Sequence, residues 1–202
     1  RCVCIVDLVD RGTGALLRIG TTHLESGTCS PGDLRVTQLC AAMSMVERVP
    51  AVCSVLAGDF NIRDWEAHRA KVGDDGGKKW QDAWHKGGAM PSFQATWKEY
   101  RFDRIFWRSS DLEGVSPELI PGSFRLLHAT ESDHQGVCCT LLVPRVQPEQ
   151  IQAIRGLADP LRRGARGRVG NRGVARRPGK FAACAKVEPS TAHDAGGPQY
   201  YC

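Results

Sequence analysis

Residues 58–64 read Gly-Asp-Phe-Asn-Ile-Arg-Asp and follow the apolar run Val52-Cys53-Ser54-Val55-Leu56-Ala57. A short apolar run bounded by a break has the length and composition of a buried strand. Gly58 supplies the break. Asp59 and Asn61 then stand two residues apart, a spacing that in extended chain points both side chains to one face. A carboxylate so placed can orient or deprotonate a water. An amide beside it can donate to a phosphoryl oxygen. The pair predicts a hydrolytic site at the mouth of a sheet.

Three further stretches place polar residues beside predicted strands. They are Thr21-Thr22-His23-Leu24-Glu25-Ser26, Arg101-Phe102-Asp103-Arg104-Ile105 and Ser132-Asp133-His134. Any one of them alone reads more readily as a satisfied turn than as a catalyst. The occurrence of all of them beside strands favours chemistry.

The elements that would carry these residues follow from periodicity. Residues 2–9 alternate and are rich in Val and Ile, Asp10-Arg11-Gly12-Thr13-Gly14 is turn chemistry, and residues 15–23 resume an extended pattern. This predicts a hairpin whose second strand delivers His23 at its end. Asp33 is the expected N-cap of an amphipathic helix over about 34–48, with Leu34, Val36, Leu39, Met43 and Val46 at helical spacing and Pro50 as the stop. Residues 65–90 read as loop-rich with short helical pieces, 101–107 as a strand containing Asp103, 109–128 as a long connection, and 136–143 as a last strand. The expected fold class is α/β (α+β), a two-sheet β-sandwich flanked by helices. No internal repeat is visible.

Charge divides the chain. Residues 1–144 hold 16 basic and 18 acidic side chains, whereas residues 145–202 hold 11 and 4. The formal charge of +5 therefore belongs to the end of the chain, and the domain does not advertise a broad nucleic-acid surface. The Arg-rich run from Arg162 to Lys180, set among Gly, Ala and Val, cannot offset its ordering entropy by burial. The organisation expected is a domain over 1–145 and a disordered Arg/Gly-rich tail over 146–202. That tail reads as solvated chain or as a contact for nucleic acid. No apolar stretch approaches the ~18 residues of a membrane span, and a secretory leader is not expected, because Asp7 and Asp10 interrupt any apolar core. Nine cysteines occur without a Cys-x-x-Cys pair, which favours reduced thiols in an intracellular protein over zinc or disulfides, with Cys53, Cys138 and Cys139 buried in strands.

Taken together, Thr22-His23-Leu24-Glu25-Ser26, the Gly58–Asp64 run, Thr96-Trp97, Arg101-Phe102-Asp103-Arg104-Ile105-Phe106, and Ser132-Asp133-His134 before Gly136 resemble the endonuclease/exonuclease/phosphatase superfamily. The match is closest to its tyrosyl-DNA phosphodiesterase branch. Gly-Asp-x-Asn and Ser-Asp-His are shared across the superfamily. The Asn-x-Arg-Asp, His-Leu-Glu-Ser and Arg-Phe-Asp-Arg-Ile elements are narrower. The resemblance spans about residues 2–143 and leaves out the tail.

The resemblance implies a metal-dependent phosphodiesterase that hydrolyses 5′-tyrosyl-DNA phosphodiester bonds in DNA repair. Its partner would be DNA with a 5′-tyrosyl protein adduct, and it would act as a monomer, away from membranes, in nucleus or cytoplasm. Asp59 would position and activate the water, while Asn61 and His134 contact phosphate. Asp103 would fix the tautomer of His134, and His23 would be a second phosphate-contacting imidazole. Arg63, Trp97 and Ser132 would bind substrate, and Asp133 would reach the metal. Mg²⁺ is the expected ion, with Mn²⁺ the alternative, because carboxylate, water and phosphate are hard oxygen ligands. Structural alternatives stand beside three of these roles. Asp103 could pair with Arg101 or Arg104, His23 could be a polar strand end, and Trp97 could be core.

The superfamily also implies a metal-ligating Glu and an Asn on early strands, and neither is identifiable here. Glu25 belongs to the His-Leu-Glu-Ser element and does not replace the Glu. The chain is therefore expected to be truncated at the N-terminus, a fragment or processed product, with weakened Mg²⁺ affinity and with activity or folding compromised when alone. The alternatives are another phosphodiesterase or endonuclease of the superfamily, or a non-catalytic fragment that binds nucleic acid or a partner.

Overall fold

The computed structural model describes residues 1–12, 14–26, 32–73, 80–86, 95–110, 117–128, 131–143, 145–166 and 199–201. In chain order the elements are β1 (Val3–Val9), β2 (Leu16–Thr22), α1 (Gly32–Glu47), β3 (Cys53–Asp59), α2 (Asp64–Arg69), β4 (Gln81–Asp82), α3 (Ala83–Lys86), β5 (Asp103–Ser109), β6 (Glu118–Leu119), β7 (Arg125–Leu127), β8 (Gly136–Cys138), β9 (Leu141–Val143), α4 (Pro148–Arg166) and β10 (Gln199–Tyr201). A five-stranded sheet runs in the order β1-β2-β3-β5-β4, and the second sheet layer is split into β10-β9-β6 and β7-β8. The mixed α/β sandwich flanked by helices agrees with the class expected from sequence.

Alternation in the two central strands builds the layers. On β3 and β5, Cys53, Ile105 and Trp107 face one cluster with Leu119, Leu141 and Val143 of the second sheet. Leu56 and Phe106 face the other, packed on Leu39, Met43 and Val46 of α1. Phe60 and Phe106 stack at 5.0 Å, closing that layer beneath the site. Burying these side chains is the main stabilising term, roughly 1.5–3 kcal/mol each.

Gly58 shows why the break in the apolar run is a glycine. Its φ is +148°, and a Cβ there would collide with the carbonyl oxygen of Thr22 on the parallel neighbour β2. Gly58→Ala is expected to cost roughly 3 kcal/mol, since the backbone is both left-handed and in contact with main chain. A fall in the thermal unfolding midpoint checks this, and an unchanged midpoint would contradict it.

The structure corrects four local expectations. Asp33 is not the N-cap. It lies in the first turn of α1, which starts at Gly32, and its carboxylate pairs with Arg69 at 2.6 Å. Leu34 is exposed rather than core. The single last strand expected over 136–143 divides into β8, paired with β7, and β9, paired with β6. The long connection before it contributes β6 and β7, two strands too short to show alternation.

The fourth correction concerns the tail. Its first part is helical, not disordered. Ile151, Ile154 and Ala158 of α4, with Val146 before it, are buried in the cluster beneath the second sheet. Arg155 also donates to the Gly14 carbonyl at 3.1 Å. The spacing of three apolar residues on one face outweighs the surrounding polar composition. From residue 167 the Arg/Gly run lies outside the described residues, as do Cys29, Cys184 and Cys202.

The six described cysteines are all free. Cys53 and Cys139 are buried, Cys138 is half-buried, and Cys2, Cys4 and Cys40 are exposed. Burial, then the neighbouring Cys139, pushes the Cys53 thiol up to about 12, which makes it inert core. Among the described residues no helix is long and apolar enough to cross a membrane.

Candidate functional site

Three strand ends and one turn meet at one edge of the five-stranded sheet. Asp59 ends β3 and Asp103 opens β5, and the two are direct cross-strand partners in the antiparallel ladder. His23 follows β2 and sits 3.4 Å from the Asp59 carboxylate through Nε2. His134 comes from the turn before β8, with Nδ1 at 2.8 Å from Asp103 Oδ2. One ligand atom from each of Asp59, Asp103 and His134 falls within 4.8 Å of the others.

The local chain explains Asn61 differently from the even spacing of its motif. The strand stops at Asp59, and Asn61 adopts φ +53°, a left-handed conformation that Asn tolerates better than most residues. Its main-chain N–H donates to Asp59 Oδ1 at 3.0 Å, an Asx-type turn. The expectation that both side chains share the face of an extended strand is therefore wrong in its geometry. A turn, and not a pleat, returns Asn61 to the site, where its amide reaches the Leu24 carbonyl at 3.4 Å.

Asp103 does not pair with Arg101 or Arg104. It sits on β5 facing His134, and its main-chain N–H donates to Thr96 Oγ1 at 3.0 Å. Arg104, next along the strand, points through the opposite face into a buried ion cluster. It contacts Asp82 at 3.3 Å and Asp64 at 2.9 Å, and it donates to the Ile62 carbonyl at 3.1 Å. Arg101 joins the same two carboxylates at 2.9 and 2.8 Å. This cluster ties the loop after Asp59 to β5, so it braces the site without entering it. Partial burial pushes the Asp64 carboxyl up, but Arg104 and Arg101 outweigh this and hold it below its ordinary 3.8. A depressed acid stabilises the fold above its unfolded pKa, and that contribution fades as pH falls through the lower folded value.

Electrostatics at the site push two groups in useful directions. Burial, then the Asp103 charge, raises the Asp59 carboxyl above its ordinary 3.8, against the Asn61 N–H and the two imidazoles. Partial burial alone would lower His134. The hydrogen bond and charge of Asp103, with Asp59 and Asp133 behind them, win and raise it above 6.5. With Nδ1–H given to Asp103, Nε2 is the nitrogen left to face a substrate. Asp103→Asn is expected to lower the His134 pKa, read as a shift of its imidazole NMR titration to lower pH. A His134 midpoint unchanged in that variant would remove Asp103 as its partner.

The remaining residues form a polar and aromatic border. Trp97 is half-buried and not core. Its Nε1 donates to Asp133 Oδ2 at 3.0 Å, and its ring lies near-parallel to His134 at 6.0 Å. Asp133 is thereby turned toward Trp97 and lies outside the Asp59–Asp103–His134 group. The reason is its position at the exposed tip of the turn, within reach of the indole. Ser132 Oγ accepts from the His134 main-chain N–H at 3.1 Å and shapes the same turn. Arg63 lies beyond, its guanidinium over the Tyr100 ring. Tyr100 carries no motif signal of its own, whereas Phe102 lies within the Arg-Phe-Asp-Arg-Ile element. The Trp-Lys-Glu-Tyr stretch that forms a tight turn, with Trp97 and Tyr100 bonded main chain to main chain, is the clue that could have found Tyr100.

The donor set suits a hard divalent cation. Two carboxylates face each other across the ladder, and burial together with the Asp103 charge disfavours the ionised Asp59, a cost that a cation between them would relieve. The sheet end thus gathers two acids and two imidazoles beside the Asn61 turn, an arrangement suited to handling a phosphate ester. The chain resembles proteins of the endonuclease/exonuclease/phosphatase superfamily. Within it, the relatives are tyrosyl-DNA phosphodiesterase 2 proteins. That of Homo sapiens is 32% identical over 152 residues, covering 64% of this chain and 40% of its own length. That of Mus musculus is 34% identical over 144 residues, covering 61% of this chain and 36% of its own. The chain thus spans well under half of the curated relatives it matches. Among solved structures, humanized Danio rerio TDP2 superposes with a TM-score of 0.54 at 27% identity, covering 69% of this chain and 59% of that one. The Danio rerio enzyme complexed with single-strand DNA product superposes with a TM-score of 0.52 at 27% identity, over 69% and 60%. No protein-family model matches the chain.

Proposed function

We propose that the protein is a metal-dependent phosphodiesterase that hydrolyses the bond between a DNA 5′ phosphate and a tyrosyl adduct. The observation that carries the reading is the cross-strand Asp59–Asp103 pair with His134 held on Asp103. Similarity to tyrosyl-DNA phosphodiesterase 2 proteins, one of them seen with a single-strand DNA product, supports the choice of substrate.

Asp59 orients a water and takes its proton as the oxygen attacks phosphorus. The P–O bond to the tyrosine breaks in line, leaving phosphate on the DNA, and the departing phenolate of the peptide takes a proton from solvent. His134 and His23 face the phosphoryl oxygens, with Asp103 keeping the His134 ring oriented. Asn61 donates its amide to the same phosphate. Asp59 and Asp103 would hold Mg²⁺ or Mn²⁺, with Asp133 reaching it through water, and the ion would neutralise charge developing on the phosphate. Arg63, Trp97 and Ser132 border the path of the strand. A monomer in nucleus or cytoplasm, with an Arg/Gly tail available to nucleic acid, completes the proposal.

The test is hydrolysis of a 5′-phosphotyrosyl oligonucleotide by the protein with Mg²⁺ and with EDTA. Release of tyrosine only with the ion supports the reading. Turnover of abasic DNA or a phosphoinositide in its place moves the chain to another branch of the superfamily. No turnover of any phosphodiester leaves a binding role.

A further inference from the structure

The Arg63 guanidinium differs from the other arginines around the site. Arg35, Arg101, Arg104 and Arg108 each meet a carboxylate within 3 Å or so, at 2.8, 2.8, 2.9 and 2.9 Å. Arg63 makes no side-chain hydrogen bond or ion pair among the described residues and meets aromatic rings instead. Its Cζ lies 3.4 Å from the Tyr100 ring centroid and 5.1 Å from that of Phe102. Its Nη1 is closed off from water without a partner, which leaves Nε and Nη2 as the edge that can meet a ligand.

Both partners of the stack are held by main chain. The Arg63 N–H donates to Glu66 Oε2 at 2.7 Å, and the fully buried Glu66 is itself fixed by Arg35. Tyr100 closes the turn from Thr96, its carbonyl accepting from Thr96 and Trp97 at 2.9 and 3.0 Å. The rings then continue toward the reacting groups. Tyr100 and Phe102 are 5.3 Å apart at 18°, Trp97 and Phe102 5.8 Å at 23°, and Trp97 and His134 6.0 Å at 29°. A guanidinium stacked by its face keeps its N–H groups in plane and free for an oxyanion.

We propose that Tyr100 is a positioning residue that holds the Arg63 guanidinium flat, so that its N–H edge receives a second phosphate of a nucleic-acid strand whose scissile phosphate lies at His134. The proposal rests on the phosphodiesterase reading and narrows its substrate to strands with more than one phosphate. Tyr100 touches neither phosphate and acts only through Arg63.

The experiment compares wild type, Tyr100→Ala, Tyr100→Phe and Arg63→Ala. Binding of a fluorescent single-stranded oligonucleotide is followed by anisotropy from low to moderate salt. Tyr100→Ala is expected to weaken binding about 3- to 10-fold, the range for a lost cation–π contact, while Tyr100→Phe keeps wild-type affinity. The salt slope should fall by about 0.7 in both Arg63→Ala and Tyr100→Ala, although Tyr is neutral, because one phosphate contact is lost in each. In turnover, Tyr100→Ala should raise KM for the oligonucleotide and leave kcat unchanged, and it should leave a single-phosphate ester of p-nitrophenol unaffected. An unchanged salt slope in Tyr100→Ala, or equal loss in a folded Tyr100→Phe, overturns the proposal. Circular dichroism melts confirm folding of each variant. If wild type turns over neither substrate, the phosphodiesterase reading fails, and the salt slopes still decide the role of Tyr100.

Discussion

Asp59→Asn is expected to lower turnover of a 5′-phosphotyrosyl oligonucleotide by about 10³-fold while the fold is kept or strengthened. The loss comes from removing the one carboxylate that both accepts a proton and anchors the turn to Asn61. The gain in stability follows from the sign of the pKa shift. Burial and Asp103 push the Asp59 carboxyl up, so its ionised form is disfavoured in the folded chain. A group with a raised acid pKa weakens the fold at neutral pH and ceases to do so as pH falls and it protonates. Asn carries no charge and removes that penalty, and its Oδ1 can still accept from the Asn61 N–H. The pairing of two readouts makes the prediction specific. A variant that loses activity with a higher unfolding midpoint has lost chemistry. One that loses both has lost its structure. Equal turnover in variant and wild type would take Asp59 out of the mechanism.

Asp82→Ala is expected to destabilise the protein by about 3–5 kcal/mol, the cost of leaving buried charge unpaired. Asp82 is 3% exposed and Arg104 2%. Asp82 receives both Arg101 and Arg104 through a single carboxylate. Without it, Arg104 keeps Asp64 and the Ile62 and Arg101 carbonyls, and burial already holds that guanidinium below its ordinary pKa. Chemical denaturation measures the loss, and a change below about 1 kcal/mol would show that Asp64 and solvent suffice. The same variant should loosen the loop after Asp59, since Arg104 reaches Ile62 within it. Increased amide exchange at 60–63 would report that loosening.

Much of this site could be read before any tertiary contact was known. The Gly-Asp-Phe-Asn run encodes its own geometry. Gly58 is needed where β3 touches the Thr22 main chain, and Asp and Asn are the residues that close an Asx turn and bear left-handed φ. His23 lies at a strand end because the alternating run before it ends there. The hairpin of β1 and β2 and the helix α1 were legible for the same reason, since short-range periodicity specifies them. Where short-range signals were faint, the reading failed. β6 and β7 are too short to alternate, and the division of 136–143 depends on which strand each half pairs with. Helix α4 was hidden because its three buried residues look ordinary until a core surface exists to receive them.

Pairings across the chain needed the fold. Residue types and order indicated that Asp59, Asp103, His134 and His23 belong to one phosphate-handling set, because each stands beside a strand in a motif with its own local chemistry. That Asp59 faces Asp103 in the ladder depends on the register of β3 against β5, a non-local hydrogen-bond match. That Asp103 meets His134 and not Arg101 or Arg104 depends on which face of β5 each side chain occupies. Asp133 turns to Trp97, and Arg63 lies on Tyr100, because separate turns come within contact distance once the layers pack. Local conformation follows from neighbouring residues and their steric limits. Partner choice follows from long-range burial, which no short window of sequence contains.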